Sequence, residues 1–438
     1  MDSRLEPKGT SSSSLPLLPE IWQAIFDDLP FWWNNVSNIR LSCKTFAILA
    51  KPMAFRYFVL YPFVNGGYSS QRFLPTRDVV ARTMARLEFW ASEEIACHVR
   101  GITLRPLRSN TPRDIEADGD HLLRALFQVL PRFINIREFN GQTFPIDDFA
   151  MNQLCKLGNL RRLNLDRTSI AAATPARGTL RLCNLTYTTG CLNDTNKEQD
   201  KSNTHWLLVA HPDHIQHVNL SIWYPSVAEH FVDFLVTTKT VQYLTELHMP
   251  HSDTLIRLLI SALSSVDSCP LKRLEFVRSY ETHNEPLSDF GSISIPCLRT
   301  YVGPHQFLLS FVPGKTIRHL HLSGLGRSEF SDPSALLYTF RHLPKSITHV
   351  KDLSLKVTLI TQDVLDAIFS RCLQLEQLWC TADPTPQSID EGPIDVSDVE
   401  NSLEVRLAAP QHNRDKTLKI LVIRMLAMAF SPWHYLRV

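Results

Sequence analysis

At 438 residues the chain is too long for one compact core, which points to several domains or a repeat array. Its 45 Lys and Arg balance 44 Asp and Glu with no basic run, which argues against nucleic acid or an anionic membrane as the main partner. The nine cysteines are odd in number, irregularly placed and without a CxxC, so they read as reduced, mostly buried thiols.

In chain order, residues 1–14 (MDSRLEPKGTSSSS) lack an apolar stretch and read as a disordered tail, not a signal peptide. Residues 15–55 then form a small helical module with more apolar surface than it can bury alone. Ile21, Ile25 and Leu29 recur at i, i+4, i+8, one stripe of an amphipathic helix, with Trp22 and Phe26 beside it. A second helix, capped at Ser37 or Asn38, carries Ile39, Cys43, Phe46 and Ala50, and Pro52 ends it. A unit of about 40 residues is at the limit of independent folding, so one of these faces is expected to belong to a partner.

These residues resemble a known family. Pro19-Glu20-Ile21-Trp22, Ile25-Phe26, Leu29-Pro30, Leu41, Cys43-Lys44, Phe46 and Leu49-Ala50 look like an F-box of the form common in fungal F-box proteins. The likeness covers residues 15–58, and Leu18 stands where that family has its first proline. The resemblance implies docking onto a Skp-type adaptor, and through it a cullin, by Pro19, Ile21, Ile25, Leu29, Cys43 and Phe46. It also implies a place in the cytoplasm, the nucleus or both.

Residues 59–95 read as a junction packed onto the repeat array, with YFVLYPF as a first strand. Val80, Met84, Leu87 and Ala91 share one helix face there. From residue 96 to 438 the signal is repetition of Leu-x-x-Leu-x-Leu. Its middle residues are Ile102, Leu163, Val218, Leu247, Leu274, Leu320, Leu353, Leu378 and Leu421. Larger gaps hold degraded copies such as INIREF and LRLCNL. The spacing clusters at roughly 25–30 residues, near the period of leucine-rich repeats. Helical patterns lie between the strands, as in HLLRALFQVL, VAEHFVDFLV, DTLIRLLISALSSV, SALLYTFRHL and TQDVLDAIFSRCL. The fold class expected is α/β: a short F-box-like helical module, then an irregular leucine-rich-repeat solenoid with parallel strands inside and helices outside. Polar loops are expected near residues 106–120, 187–204, 281–292 and 382–402, and the chain stops at SPWHYLRV with no polar cap evident.

The last two apolar residues of each motif are two apart, so they share one strand face, and the residues flanking them point to the other. That rule places Arg162, Asn164, His217, Asn219, Glu246, His248, Arg273, Glu275, His319, His321, Asp352, Gln377 and Trp379 on one open wall. Arg162, His217, His248, Arg273, His319, His321 and Trp379 are the candidate contacts to an unknown protein target. Trp379 leads this set, because a large ring left on an open sheet face is costly and tryptophan is enriched at binding hot spots.

Catalytic motifs are not evident. Pro313-Gly314-Lys315-Thr316 mimics the end of a phosphate loop, but Leu309 stands where the first glycine is needed. His211, His214 and His217 recur every three residues, with Cys183 and Cys191 upstream, but Pro212 breaks the helix such a metal site would need. No metal, cofactor, nucleic acid or membrane is expected. The longest apolar run, LKILVIRMLAMAF, is interrupted by Lys419 and Arg424. The reading is a non-catalytic receptor that brings a target protein to a Skp-cullin-F-box ubiquitin ligase. A leucine-rich scaffold that recruits no ligase is the alternative.

Overall fold

The structure, a computed structural model, describes residues 33–65, 71–108, 110–170, 178–188, 209–221, 225–266, 269–277, 292–313, 316–324, 330–343, 345–358, 360–382 and 420–425, with Leu18, Ile21, Trp22, Ile25 and Leu207 as isolated positions. The first fourteen residues, the acidic stretch 383–402 and the terminal SPWHYLRV lie outside this set.

Thirteen strands make one sheet. They are β1 (Tyr57–Leu60), β2 (Gly101–Leu104), β3 (Glu138–Gln142), β4 (Arg162–Asp166), β5 (Asn184–Thr188), β6 (His217–Ser221) and β7 (Glu246–Pro250). They continue as β8 (Arg273–Val277), β9 (Thr300–Pro304), β10 (His319–Ser323), β11 (Asp352–Val357), β12 (Gln377–Ala382) and β13 (Ile420–Met425). Every neighbouring pair is parallel, and strand order equals chain order from end to end. A doubly wound sheet reverses its strand order part-way. This one never does, so each strand contacts only the repeat before and after it.

The register follows from the motif. Ile102, Leu163, Val218, Leu247, Leu274, Leu320, Leu353 and Leu378 are all buried, and the register carries each onto its equivalent in the next strand. The first residue of each motif (Val99, Leu160, Ile215, Leu244, Leu271, Ile317, Val350) turns into the same core just before the strand. Two further copies carry no obvious leucine signature. Phe58 occupies the slot in β1 and Tyr301 in β9, both fully buried. Where most strands place a second apolar side chain inward, β3 and β9 have Gly141 and Gly303. A Cβ on Gly141 would lie 2.5 Å from the buried ring of Phe144, which fills the vacated space. Gly303 has φ +150°, a conformation that side-chain-bearing residues rarely adopt, and its Cβ would sit 3.0 Å from that of Phe276.

Helices cover one side of this sheet: α4 (Arg77–Trp90), α6 (His121–Val129), α7 (Asp148–Cys155), α8 (Pro225–Thr238), α9 (Asp253–Ser264), α10 (Pro333–His342) and α11 (Gln362–Arg371), with a short α5 (Glu93–Ala96). Their starts are written in the sequence. Asp147, Ser252, Asp332 and Thr361 each accept a hydrogen bond from the backbone N–H three residues on, which satisfies an orphan donor. The helices turn apolar faces inward, rich in leucine on α9 (Leu255, Ile256, Leu259 and Leu263) and more mixed elsewhere, as with Ala150, Met151 and Leu154 on α7. Helices pack about 8–10 Å apart and strands about 4.8 Å apart. Stacking such units therefore curves the array with the strands on the inside, and the face opposite the helices is its inner wall.

Three local readings are corrected. Residues 113–118, expected in a polar loop, form a strand that pairs antiparallel with Arg72–Pro75, which also pairs with Val64–Asn65. The single helix expected after the tryptophans is broken into α1 (Trp33–Ser42), α2 (Lys44–Leu49) and α3 (Lys51–Ala54). Ser37 and Asn38 lie inside α1, while Cys43 caps α2, its sulfur accepting from the N–H of Phe46 at 3.4 Å. Pro52 does not end a helix but sits in the first turn of α3, where its missing N–H costs nothing.

Candidate functional site

The N-terminal helices have their own core. Val36, Ala50, Met53 and Ala54 are buried together, apart from the continuous core under the sheet, and Phe55 touches both. Trp22 packs edge-on against Phe46 at 4.8 Å. Ile21 and Ile25, one turn apart, remain 43% and 40% exposed, and Leu41 and Ile48 are 85% and 70% exposed. Of the residues expected to meet an adaptor, Ile21, Ile25 and Cys43 are therefore open, Phe46 is half-buried, and Pro19 and Leu29 lie outside the described residues.

On the inner wall, the register sets the sequence-derived residues in two rows. Arg162, His217, Glu246, Arg273, His319, Asp352 and Gln377 occupy the row nearer the strand starts. Asn164, Asn219, His248, Glu275, His321 and Trp379 occupy the next. None of them is buried. Histidines meet carboxylates across neighbouring strands: His217 Nδ1 and Glu246 Oε2 at 3.4 Å, His248 Nδ1 and Glu275 Oε1 at 3.3 Å, His319 Nδ1 and Asp352 Oδ2 at 2.5 Å. Arg273 adds a contact of 2.7 Å to Glu275 along its own strand. Hydrogen bonding to His248, with Arg273 second, holds the Glu275 carboxyl down to about 2 against the opposing effect of burial. Shallow cavities of about 440 and 270 Å³ open over Arg273, Glu275 and Lys356 and over His217, Asn219 and His248. Trp379 stands between Ser354 and Val422 in its row and is 37% exposed. The wall is a mixed hydrogen-bonding surface with one large, partly exposed apolar ring among its described residues.

Burial pushes the thiols of Cys372 and Cys380 up to about 12, which keeps them protonated. His211, weighed as a metal ligand, instead accepts from the N–H of Asp213 and caps a turn. Among the described residues no group of three metal-binding side chains converges, and no helix is long and apolar enough to cross a membrane.

A further cavity of about 660 Å³ lies at the start of the array, between α3 and β1–β4. Arg56, Arg100, Arg137, Arg161 and Arg162 line it. The apolar repeat pattern does not point to it, because these arginines lie outside the inward-facing positions of the motif. Four of the five stand immediately before the strands, a position visible in the aligned repeats HVRGITL, NIREF and NLRRLNL.

No family model matches the sequence, and no curated protein matches it either. Among solved structures, the chain is similar to one in the yeast Rad7 and Elc1 complex, at 13% identity over 87% of this chain and 94% of that one, with a TM-score of 0.39. It is also similar to an internalin of Listeria monocytogenes, at 12% identity over 66% and 70% of the two chains, with a TM-score of 0.34. Both superpositions are loose, and what decides the fold is the strand-by-strand register of the sheet and its repeated inward leucines. The chain is a leucine-rich-repeat-type solenoid. Its irregularity follows from repeats of unequal length and from the glycine substitutions in β3 and β9.

Proposed function

We propose that the protein is a non-catalytic substrate receptor of a Skp-cullin-F-box type ubiquitin ligase, whose N-terminal helices dock a Skp-type adaptor and whose solenoid wall binds the protein to be modified. The observation that carries this reading is the stripe of Ile21 and Ile25, left open beside a small helical core of its own. A module that merely capped the repeats would turn that stripe onto them. Such a receptor works by geometry: it holds a target near a ubiquitin-charged enzyme and raises the effective concentration of its lysines. The reading places the protein in the cytoplasm or nucleus.

Ile25→Asp puts a charge into the proposed contact, and losing an interface anchor typically costs about 2 kcal/mol or more. Co-purification with a co-expressed Skp-type adaptor is expected for wild type and lost for a folded Ile25→Asp variant. Equal recovery of both would remove the adaptor assignment, and failure of wild type to bind would favour a scaffold without a ligase. Trp379→Ala is expected to keep the fold and the adaptor while losing partners cross-linked to the wild-type wall. Capture of the same partners by the variant would move the target surface elsewhere.

A further inference from the structure

The arginine cavity is built by the backbone. In each repeat the carbonyl just before the strand accepts two N–H groups from the next repeat. Arg100 N–H donates to Arg56 O at 2.8 Å, Arg137 to Arg100 at 2.7 Å and Arg161 to Arg137 at 2.8 Å. These four arginines therefore occupy successive rungs about 4.8 Å apart, a ladder spanning roughly 14 Å. Arg162 adds a fifth guanidinium from the first position of β4.

This charge is left without a counter-ion. The Arg100 guanidinium donates to the carbonyl of Asn135 at 3.5 Å, and that of Arg161 to the carbonyls of Leu160 and Arg181 at 3.4 and 3.1 Å. Among the described residues none of the five makes an ion pair. Arg56 keeps a buried Nε–H with no acceptor, and Arg137 and Arg162 are exposed. The one carboxylate in the lining, Glu138, accepts from Asn140 Nδ2 at 2.9 Å. His98 also faces the cavity, and burial with the nearby Lys51 and Arg100 keeps its ring below the usual histidine range, so it adds no charge at neutral pH. Further along the array the same pre-strand position is first uncharged, at Cys183, Gln216 and Thr245, and then basic again at Lys272, Arg299, Arg318 and Lys351, the last paired with Glu376 at 2.8 Å. Only at the start of the array do the basic rungs line one cavity with a fifth guanidinium beside them. Like charges gathered in one cavity repel, and an array of guanidinium forks matches the oxygens of phosphate in paired hydrogen bonds.

We infer that this cavity binds a phosphorylated segment of a partner protein, running across the rungs from the N-terminal end of the inner wall. One phosphate spans one or two rungs, whereas the ladder has four, which suits an extended chain with more than one anionic group. The cavity is continuous with the inner wall through Glu138 and Arg162, so a segment held here continues onto the rows already described. The inference deepens the target-binding reading and is independent of whether an adaptor is recruited.

The test uses the full chain and a fluorescent peptide, Gly-pSer-Gly-pSer-Gly-pSer-Gly, with anisotropy as readout. Arg137→Gln combined with Arg162→Gln removes two exposed guanidiniums that support no other contact, so folding is retained. The double variant is expected to bind at least tenfold more weakly, and the unphosphorylated peptide weaker still. A control pair on the helix layer, Arg132→Gln with Arg341→Gln, should leave binding unchanged. Equal affinity of wild type and the cavity variant, or an equal loss in the control pair, overturns the site. Displacement of the peptide by inorganic tripolyphosphate at equal concentration would replace the protein segment with a free polyanion. Ile25→Asp should bind the peptide like wild type, which separates failure here from failure of the adaptor reading.

Discussion

Leu274→Ala is expected to cost about 2–5 kcal/mol and to loosen its neighbours before the rest of the array. Leu274 is fully buried and lies in register between Leu247 and Tyr301, so the cavity opens onto both adjacent repeats. Collapse is restricted, because Phe276 already packs against Tyr301, Phe307 and Phe311. In a stack where each repeat touches only the next, lost stability spreads outward from the damaged unit. Hydrogen exchange in the variant should rise first across residues 246–304, with β2–β4 and β11–β12 still protected. A uniform rise across the described chain would mean that the solenoid unfolds as one cooperative block.

The parts of this fold that were legible in the sequence share one property: the buried residue in the slot was leucine or a close substitute. That sufficed to fix the phase of eight strands and, from phase alone, which of their residues face the inner wall. Tyr301 escaped because its repeat carries Gly303 at the second inward slot, where the space is taken by Phe276 of the neighbouring strand and by the tyrosine's own hydroxyl. Such compensation is a tertiary fact, and no local pattern encodes it. The N-terminal boundaries failed for a different reason. Helical periodicity continues unbroken through Ser42-Cys43-Lys44, while the break comes from backbone geometry at Cys43, φ −160°, ψ 165°, where the thiol takes a capping place usually held by serine or aspartate. The arginine ladder was readable in principle, since repeat alignment puts arginine at one fixed offset. Its significance was not, because only the parallel register shows that those offsets stack and that five guanidiniums gather around a single carboxylate, Glu138.

Acid is expected to weaken the folded state in a step traceable to one residue, His305. Its ring is fully buried beneath α10, where Nδ1 lies 2.7 Å from the hydroxyl of Thr339. That hydroxyl has one hydrogen and gives it to the carbonyl of Ala335 at 3.2 Å, so its oxygen accepts from Nδ1–H. Nε2 is then the unprotonated nitrogen, buried and without a partner, and a proton added there would bring charge into an apolar site. Burial accordingly lowers the histidine from 6.5 to about 4, with Asp332 the only neighbour pulling it back. The sign follows. Below pH 6.5 the unfolded chain takes up a proton that the native chain refuses until about pH 4, so stability falls as pH falls through that window. The whole step is worth at most about 3 kcal/mol, at 1.36 kcal/mol per unit of pKa. Chemical denaturation at intervals from pH 7 to 4 should show wild type losing more stability than His305→Asn, which cannot take up that proton. Asparagine fills the site less well, so the variant starts weaker at pH 7 and the two curves converge on acidification. Parallel curves would mean that His305 is as easily protonated in the native protein as in the unfolded chain.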